Sequence, residues 1–263
     1  MELAYKKFPR KKWYILLDDD TYMVQPSLKA LLGHLDAEYP YYLGNAVGDY
    51  RGRFAHGGSA IILSQAAMRV LYTDNPWTAM EGHMESLSAI WGDRLIARAL
   101  IRVGVFLDER FSHLFSGEAP QLSKIRADRF CSPILSFHGL ATRPNMLQTG
   151  KHFQEAEKPV LWSQLWDIYD APSPWRHGVA SPKREGWDHV GRPDEAVDVI
   201  SGVSDSDHCA EKCTIGSKVC LAWTWDASLK KCYISPWMIV GEEATGRTTG
   251  INAERVKRLE DGC

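Results

Sequence analysis

The sequence predicts an α/β layer followed by a small disulfide-rich α+β module, and three observations carry that expectation. Short apolar runs alternate with helix-spaced hydrophobic residues through residues 1–170, the pattern of a layered α/β domain. Proline and glycine then concentrate over 171–195, which suits an exposed connector. Five of the six cysteines (209, 213, 220, 232 and 263) fall in the last 55 positions, a density typical of a disulfide-held module.

Trp13-Tyr14-Ile15-Leu16-Leu17 is short, apolar and stopped by Asp18, Asp19 and Asp20, and it reads as a central strand delivering three carboxylates to its end. Gln25-Pro26-Ser27 opens a helix with proline in its first turn, and Leu28, Leu31, Leu32 and Leu35 supply the apolar face. Residues 41–43 and 59–63 read as strands, the second followed by Ser64 as the cap of a helix through Leu71. A longer helix spans about 92–103, with Leu95, Ile96, Ala99, Leu100 and Val103 on one face and Asp93 in the first turn. Residues 105–107 and 134–137 are further short strands, the latter ending in His138, and 161–169 reads as an amphipathic helix. After the 171–195 connector come a strand at 197–200, a short helix carrying Cys209 and Cys213, and a strand pair at 221–225 and 231–234. A closing strand is expected near 255–259.

Lys and Arg number 31 against 33 Asp and Glu, a net charge of −2, so bulk electrostatics gives no support to a nucleic-acid partner. With 44% hydrophobic residues, ten Trp and ten Tyr, the chain has the composition of a folded protein. Its uninterrupted apolar runs end after about five residues, far short of the roughly 18 that a membrane span needs, so none is expected. The first nine residues lack an apolar core followed by a cleavage site, and no signal peptide is visible.

Three adjacent carboxylates at a strand end repel one another unless a cation or hydrogen bonds compensate, and hard oxygen donors suit Mg²⁺ or Mn²⁺. A lone Asp there is ordinary turn chemistry; three behind a buried strand point to a site. The phrase from Trp13 through Asp18-Asp19-Asp20-Thr21-Tyr22 resembles the metal-binding aspartate motif of the fringe-like and core 1 β-1,3-galactosyltransferases, inverting enzymes of glycosyltransferase family 31 type with the GT-A fold. Gly57-Gly58 before a strand and Ser64, Gly92-Asp93-Arg94 at a helix start, and Ser136-Phe137-His138 are similar to that family's later motifs, in the family's order.

The resemblance implies Asp20 and His138 as ligands of Mn²⁺ or Mg²⁺, with Asp18, Asp19, Gly57 and Gly58 on the nucleotide-sugar side. It makes Asp93 the base that takes the acceptor hydroxyl's proton. It further implies a UDP-sugar donor, galactose for the core 1 branch, and a protein-linked glycan acceptor such as O-GalNAc. A secretory-pathway, Golgi-membrane setting goes with it.

The family's helix start carries an acidic pair, and here only Asp93 of that pair is present. Twelve residues precede Trp13 where a GT-A fold has its nucleotide-binding βαβ half, so an N-terminally truncated chain, with any type II anchor outside it, is the expectation. Two other readings stand beside the enzyme: a noncatalytic carbohydrate- or protein-binding remnant, and a haloacid-dehalogenase-type phosphatase using Asp18 and Asp20. The second wants Thr where this chain has Tyr22.

Cys209, Cys213, the Cys220-Leu221-Ala222-Trp223-Thr224-Trp225 stretch and Lys231-Cys232-Tyr233 look like a PAN/apple module, placed at 196–263. Nesting of the apple type implies Cys209 with Cys232 and Cys213 with Cys220. Cys131 and Cys263 then either bridge the two domains or have each lost a partner.

Overall fold

The computed structural model describes residues 1–49, 52–169 and 183–263. The chain forms two compact units: Met1–Ala119 with Ile134–Pro159, and Pro120–Pro133 with Val160–Cys263. An α/β unit is thus followed in sequence by a disulfide-rich α+β unit, with one excursion of the chain into the second unit at 120–133.

The first unit is built on a three-stranded antiparallel sheet in which Ile61–Ser64 lies between Trp13–Leu16 and Tyr42–Gly44. Ile61–Ser64 is buried at every position, whereas Trp13–Leu16 buries only Tyr14 and pairs on one side among the described residues. The central place therefore belongs to Ile61–Ser64 rather than to the Trp13 strand, because a strand covered on both faces must be apolar throughout. Residues 105–107 also depart from expectation: they make a single parallel bridge, Leu107 to Tyr42, and no strand.

The helices of this unit are α1 (Glu2–Lys7), α2 (Gln25–His34), α3 (Gln65–Arg69), α4 (Pro76–Ser86), α5 (Gly92–Arg102) and α6 (Arg143–Phe153). Ser64 caps α3, its hydroxyl accepting from the Ala67 amide at 3.1 Å. Helix α5 buries Ala97, Ala99 and Leu100 against Tyr42, Ile61, Leu63 and Leu71, which fixes its first turn over the end of the sheet. The two-residue strands Tyr22–Met23 and Ser136–Phe137 pair antiparallel, Tyr22 opposite Phe137.

The second unit holds a five-stranded antiparallel sheet in the order Asp198–Ser201, Lys231–Ser235, Ala222–Asp226, Glu242–Ile251, Lys183–Asp188. Helix α7 (Leu165–Ile168), preceded by a 3₁₀ turn at Trp162–Gln164, belongs here, as do α8 (Ser206–Glu211) and α9 (Ala253–Asp261). Disulfides join Cys209 to Cys232 and Cys213 to Cys220, and with Val203, Trp223 and Ile234 these cysteines form the core under α8. Cys131 is bonded to Cys263 with Cα atoms 5.3 Å apart, so the two pair with each other as the first alternative expected and neither lacks a partner; both lie in this compact unit.

Two expectations fail in this unit. The segment around Arg255–Leu259 is helix, not strand: Asn252 caps it by accepting from the Arg255 amide at 3.1 Å, and Ala253 and Val256 bury at helical spacing. Of the connector expected at 171–195, residues 171–182 lie outside the described residues, and Lys183–Asp188 is an edge strand paired with Glu242–Ile251. No helix among the described residues is long and apolar enough to cross a membrane.

Candidate active site

Pairing of Tyr22 with Phe137 sets the geometry, because the residues just before the one strand and just after the other must then meet. The Leu140 amide donates to the Asp20 carbonyl at 3.1 Å and the Val24 amide to that of Leu135 at 2.9 Å, so the two segments run together past the strands. Asp20 and His138 end face to face, Oδ1 to Nε2 at 3.3 Å. Asp18 folds back in the turn closed by the Thr21 amide on its carbonyl, and one ligand atom from each of Asp18, Asp20 and His138 falls within 4.8 Å of the others. Asp19 is exposed and stands outside this group.

The orientation of His138 is determined by its other nitrogen. Nδ1 lies 3.2 Å from the Gly117 carbonyl, which can only accept, so Nδ1 carries a proton and Nε2 is the nitrogen turned to Asp20. An imidazole nitrogen and a carboxylate oxygen this close need a proton or a cation between them, and the third donor from Asp18 makes the group one that could hold a cation. Two carboxylates and one imidazole suit a hard to borderline divalent ion such as Mn²⁺ or Mg²⁺. Gly58 packs directly under the ring: a Cβ there would overlap Nε2, Cδ2 and Cε1 of His138. The cradle around the imidazole is therefore built to hold it in place, and the donor set fits such an ion.

Asp93 sits in the first turn of α5, and its two oxygens accept from the Gly57 amide at 3.0 Å and the Arg94 amide at 2.7 Å. Each carboxylate oxygen has a second lone pair, so the group remains able to take a proton while two backbone donors fix its direction. The consecutive glycines thus tie the site together, Gly57 holding Asp93 and Gly58 seating His138. Thr21 secures the pair from below, its hydroxyl donating to the Gly58 carbonyl at 2.7 Å.

Asp18, Gly57, Gly58, Asp93 and His138 line a cleft of about 760 Å³, within the range of small-molecule sites. Asp18, His138, His56, Gly57, Gly58 and Asp93 form its polar side. Phe54, Ile90 and Trp91 line it as well, and Ile90 and Trp91 are 88% and 65% exposed, an apolar lip directly before Asp93. The His56 ring stands edge-on to His138 at 5.2 Å, with Nδ1 held 2.9 Å from the Ser59 hydroxyl. Gly117, Ile90 and Trp91 escaped the sequence reading, and Thr21 was read only as part of the aspartate motif. Gly117 and Trp91 are loop residues whose importance depends on what folds onto them, and no local spacing announces that.

A Fringe-like family profile matches residues 1–171, and a PAN-domain profile matches 189–249. Human (Homo sapiens) chondroitin sulfate glucuronyltransferase is 38% identical over 61 residues, a stretch covering 21% of this chain and 8% of that protein. The chain therefore spans only a small part of the length of that relative. The family profile spans Asp18, Asp19 and Asp20, the glycine pair, Asp93 and His138, and it extends over more than half of the sequence. On that match the chain belongs to the Fringe-like family of glycosyltransferases.

Proposed function

We propose that the protein transfers a hexose from a UDP-sugar to a glycan hydroxyl with inversion, using a divalent ion held by Asp18, Asp20 and His138. The observation that carries this reading is that Asp18 and His138 of the donor set line one cleft with the backbone-held Asp93, joined through Gly57 and Gly58, while Asp20 faces His138. A divalent ion bound there would supply positive charge against the departing diphosphate.

Asp93 takes the proton of the acceptor hydroxyl as its oxygen bonds to the sugar's anomeric carbon; the bond from that carbon to phosphate breaks on the opposite face, and UDP leaves with the electron pair. Asp19, Gly57 and Gly58 lie on the donor side of this scheme. The lip of Ile90 and Trp91 offers the acceptor ring an apolar face beside Asp93, where aromatic area is the natural support for a sugar's C–H surface. The core 1 resemblance makes galactose the donor sugar, β-1,3 the linkage and protein-linked GalNAc the acceptor, while the name of the glucuronyltransferase relative makes UDP-glucuronate the second donor to assay. The six cysteines, all disulfide-bonded, suit the oxidising secretory pathway, and residence in the Golgi belongs to the same proposal.

Mn²⁺ titration followed by electron paramagnetic resonance tests the donor set. Asp20→Ala and His138→Ala should each weaken binding roughly tenfold or more; unchanged titrations for both would remove the metal assignment. With UDP-galactose, UDP-glucuronate and a GalNAc acceptor, Asp93→Asn should cut transfer by roughly a hundredfold or more while leaving Mn²⁺ and UDP bound. Turnover near the parent rate would exclude Asp93 as the base.

A further inference from the structure

Helix α5 carries Arg94, Arg98 and Arg102 at intervals of four, so three exposed guanidinium groups stand along one side of the helix and repel one another. Two of them are compensated from α4: Arg102 meets Glu85 and Glu81, and Arg98 meets Glu85 at 3.4 Å. Arg53, which lines a recess with them, is held by both oxygens of Glu109, at 3.1 and 2.7 Å. Arg94 differs from these three, because its guanidinium makes no ion pair or hydrogen bond among the described residues. The adjoining carboxylate of Asp93 is turned instead to the Gly57 and Arg94 amides. A cation in the first turn of a helix also opposes the helix dipole, which favours acids there. Arg94 thus stands against two local repulsions that no acid among the described residues offsets.

Its position shows what would offset them. Arg94 lines the cleft that holds Asp93, and it is also a wall of two smaller recesses, one of about 310 Å³ shared with Ile90, Trp91 and Arg98 and one of about 410 Å³ shared with Phe54 and Arg98. Neither recess is lined by Asp18, Asp20 or His138, so Arg94 leads from Asp93 toward the side away from the metal donors. The departing diphosphate belongs with those donors, which leaves the space beside Arg94 and the Ile90–Trp91 lip to the acceptor.

We propose that Arg94 selects glycan acceptors bearing a carboxylate or sulfate, on the accepting sugar or on the next ring, and grips that anion while Ile90 and Trp91 support the ring. The planar N–H pairs of a guanidinium match either anion in a two-pronged contact. An exposed indole beside a free guanidinium favours an acidic sugar over an acidic peptide, whose Asp and Glu side chains offer no ring to lie on it. The inference rests on the transfer reading and narrows its acceptor class.

Calorimetric titration of the full chain with Mn²⁺ and UDP present reads acceptor binding without turnover. The ligands are a GalNAc glycoside, the same glycoside sulfated on its primary hydroxyl, and the same ring linked to glucuronate. At least one anionic acceptor should bind about fivefold more tightly than the neutral one, a preference that shrinks with added salt. Arg94→Gln should bring the ratio of affinities to unity and Arg94→Lys should keep part of it, each with the parent's circular dichroism spectrum. A ratio of unity in the parent, a ratio unchanged in Arg94→Gln, or displacement of the anionic acceptor by equimolar tetraglutamate would overturn the assignment. So would an Arg94→Gln variant that altered the choice between UDP-galactose and UDP-glucuronate instead. Binding of the neutral glycoside without any anionic preference removes the role of Arg94 alone, whereas absence of binding by all three glycosides removes the transfer reading with it.

Discussion

A methyl group at position 58 would occupy the space of the His138 imidazole, whereas one at position 57 would meet Asp93 only at ordinary contact distances of 3.5–3.8 Å. Neighbouring glycines with one sequence context therefore differ sharply in what they permit. Gly58→Ala should push His138 off its bond to Gly117 and weaken Mn²⁺ binding roughly tenfold, with little change in far-ultraviolet circular dichroism, while Gly57→Ala should leave the titration near the parent curve. Equal behaviour of the two variants would show that His138 is not seated by Gly58. Two residues further on, Ala60 is fully buried at φ 84°, a conformation that disfavours any side chain. Strain of this kind, of order 1–3 kcal/mol, is retained where surrounding bonds determine the backbone, and here the Thr21, Ser136 and Asp93 side chains all bind the backbone of Gly57–Ser59.

Among the elements, the strand Lys183–Asp188 shows most clearly what sequence leaves hidden. Its pattern is polar and charged, with Gly186 at φ 66° and a register irregularity against Glu242–Ile251, so no period-two alternation marks it. An edge strand with one bonded side needs none. It nevertheless ends in Asp188, a nearly buried carboxylate that accepts from Thr224 at 2.7 Å, the Val190 amide at 2.8 Å, the Gly191 amide at 3.1 Å and the Arg247 guanidinium. Asp188→Asn swaps an acceptor for a donor amid these donors and should destabilise the second unit by about 3 kcal/mol, seen as a lower urea midpoint in tryptophan fluorescence. A midpoint unchanged within error would contradict that account. By contrast, α5 and the Ser64 cap of α3 were legible because a wide apolar face and a capping hydroxyl are local signals. Helix α6 buries only Thr149 and Phe153 and so carries no stripe to read. At the site, the strand-end aspartates and the Ser136-Phe137-His138 phrase were visible one by one, but the Tyr22–Phe137 pairing that joins them is a long-range contact with no local signature.

For the molecule as a whole, acid stability should follow one buried histidine. His189 lies in the second unit with its ring 4.8 Å from that of Trp166, and Nδ1 donates to the Ile239 and Val240 carbonyls at 3.2 and 3.1 Å. Burial lowers its pKa from 6.5 to about 4. Between those values the unfolded chain holds a proton that the folded one refuses, so stability present above pH 6.5 is lost as pH falls toward 4, by about 3 kcal/mol in all. His189→Asn, which keeps an N–H for the carbonyls, should flatten the dependence of unfolding free energy on pH in that window, and an unchanged slope would assign it to other groups. The Cys131–Cys263 bond carries a different consequence, one of timing. Because 132 positions separate the two cysteines, at roughly 5–20 residues per second the ribosome delivers the second about 7–26 s after the first. In the oxidising compartment proposed above, Cys131 waits as a thiol while Cys209, Cys213, Cys220 and Cys232 are synthesised before Cys263, and any wrong pairing made in that interval would need thiol exchange to correct it.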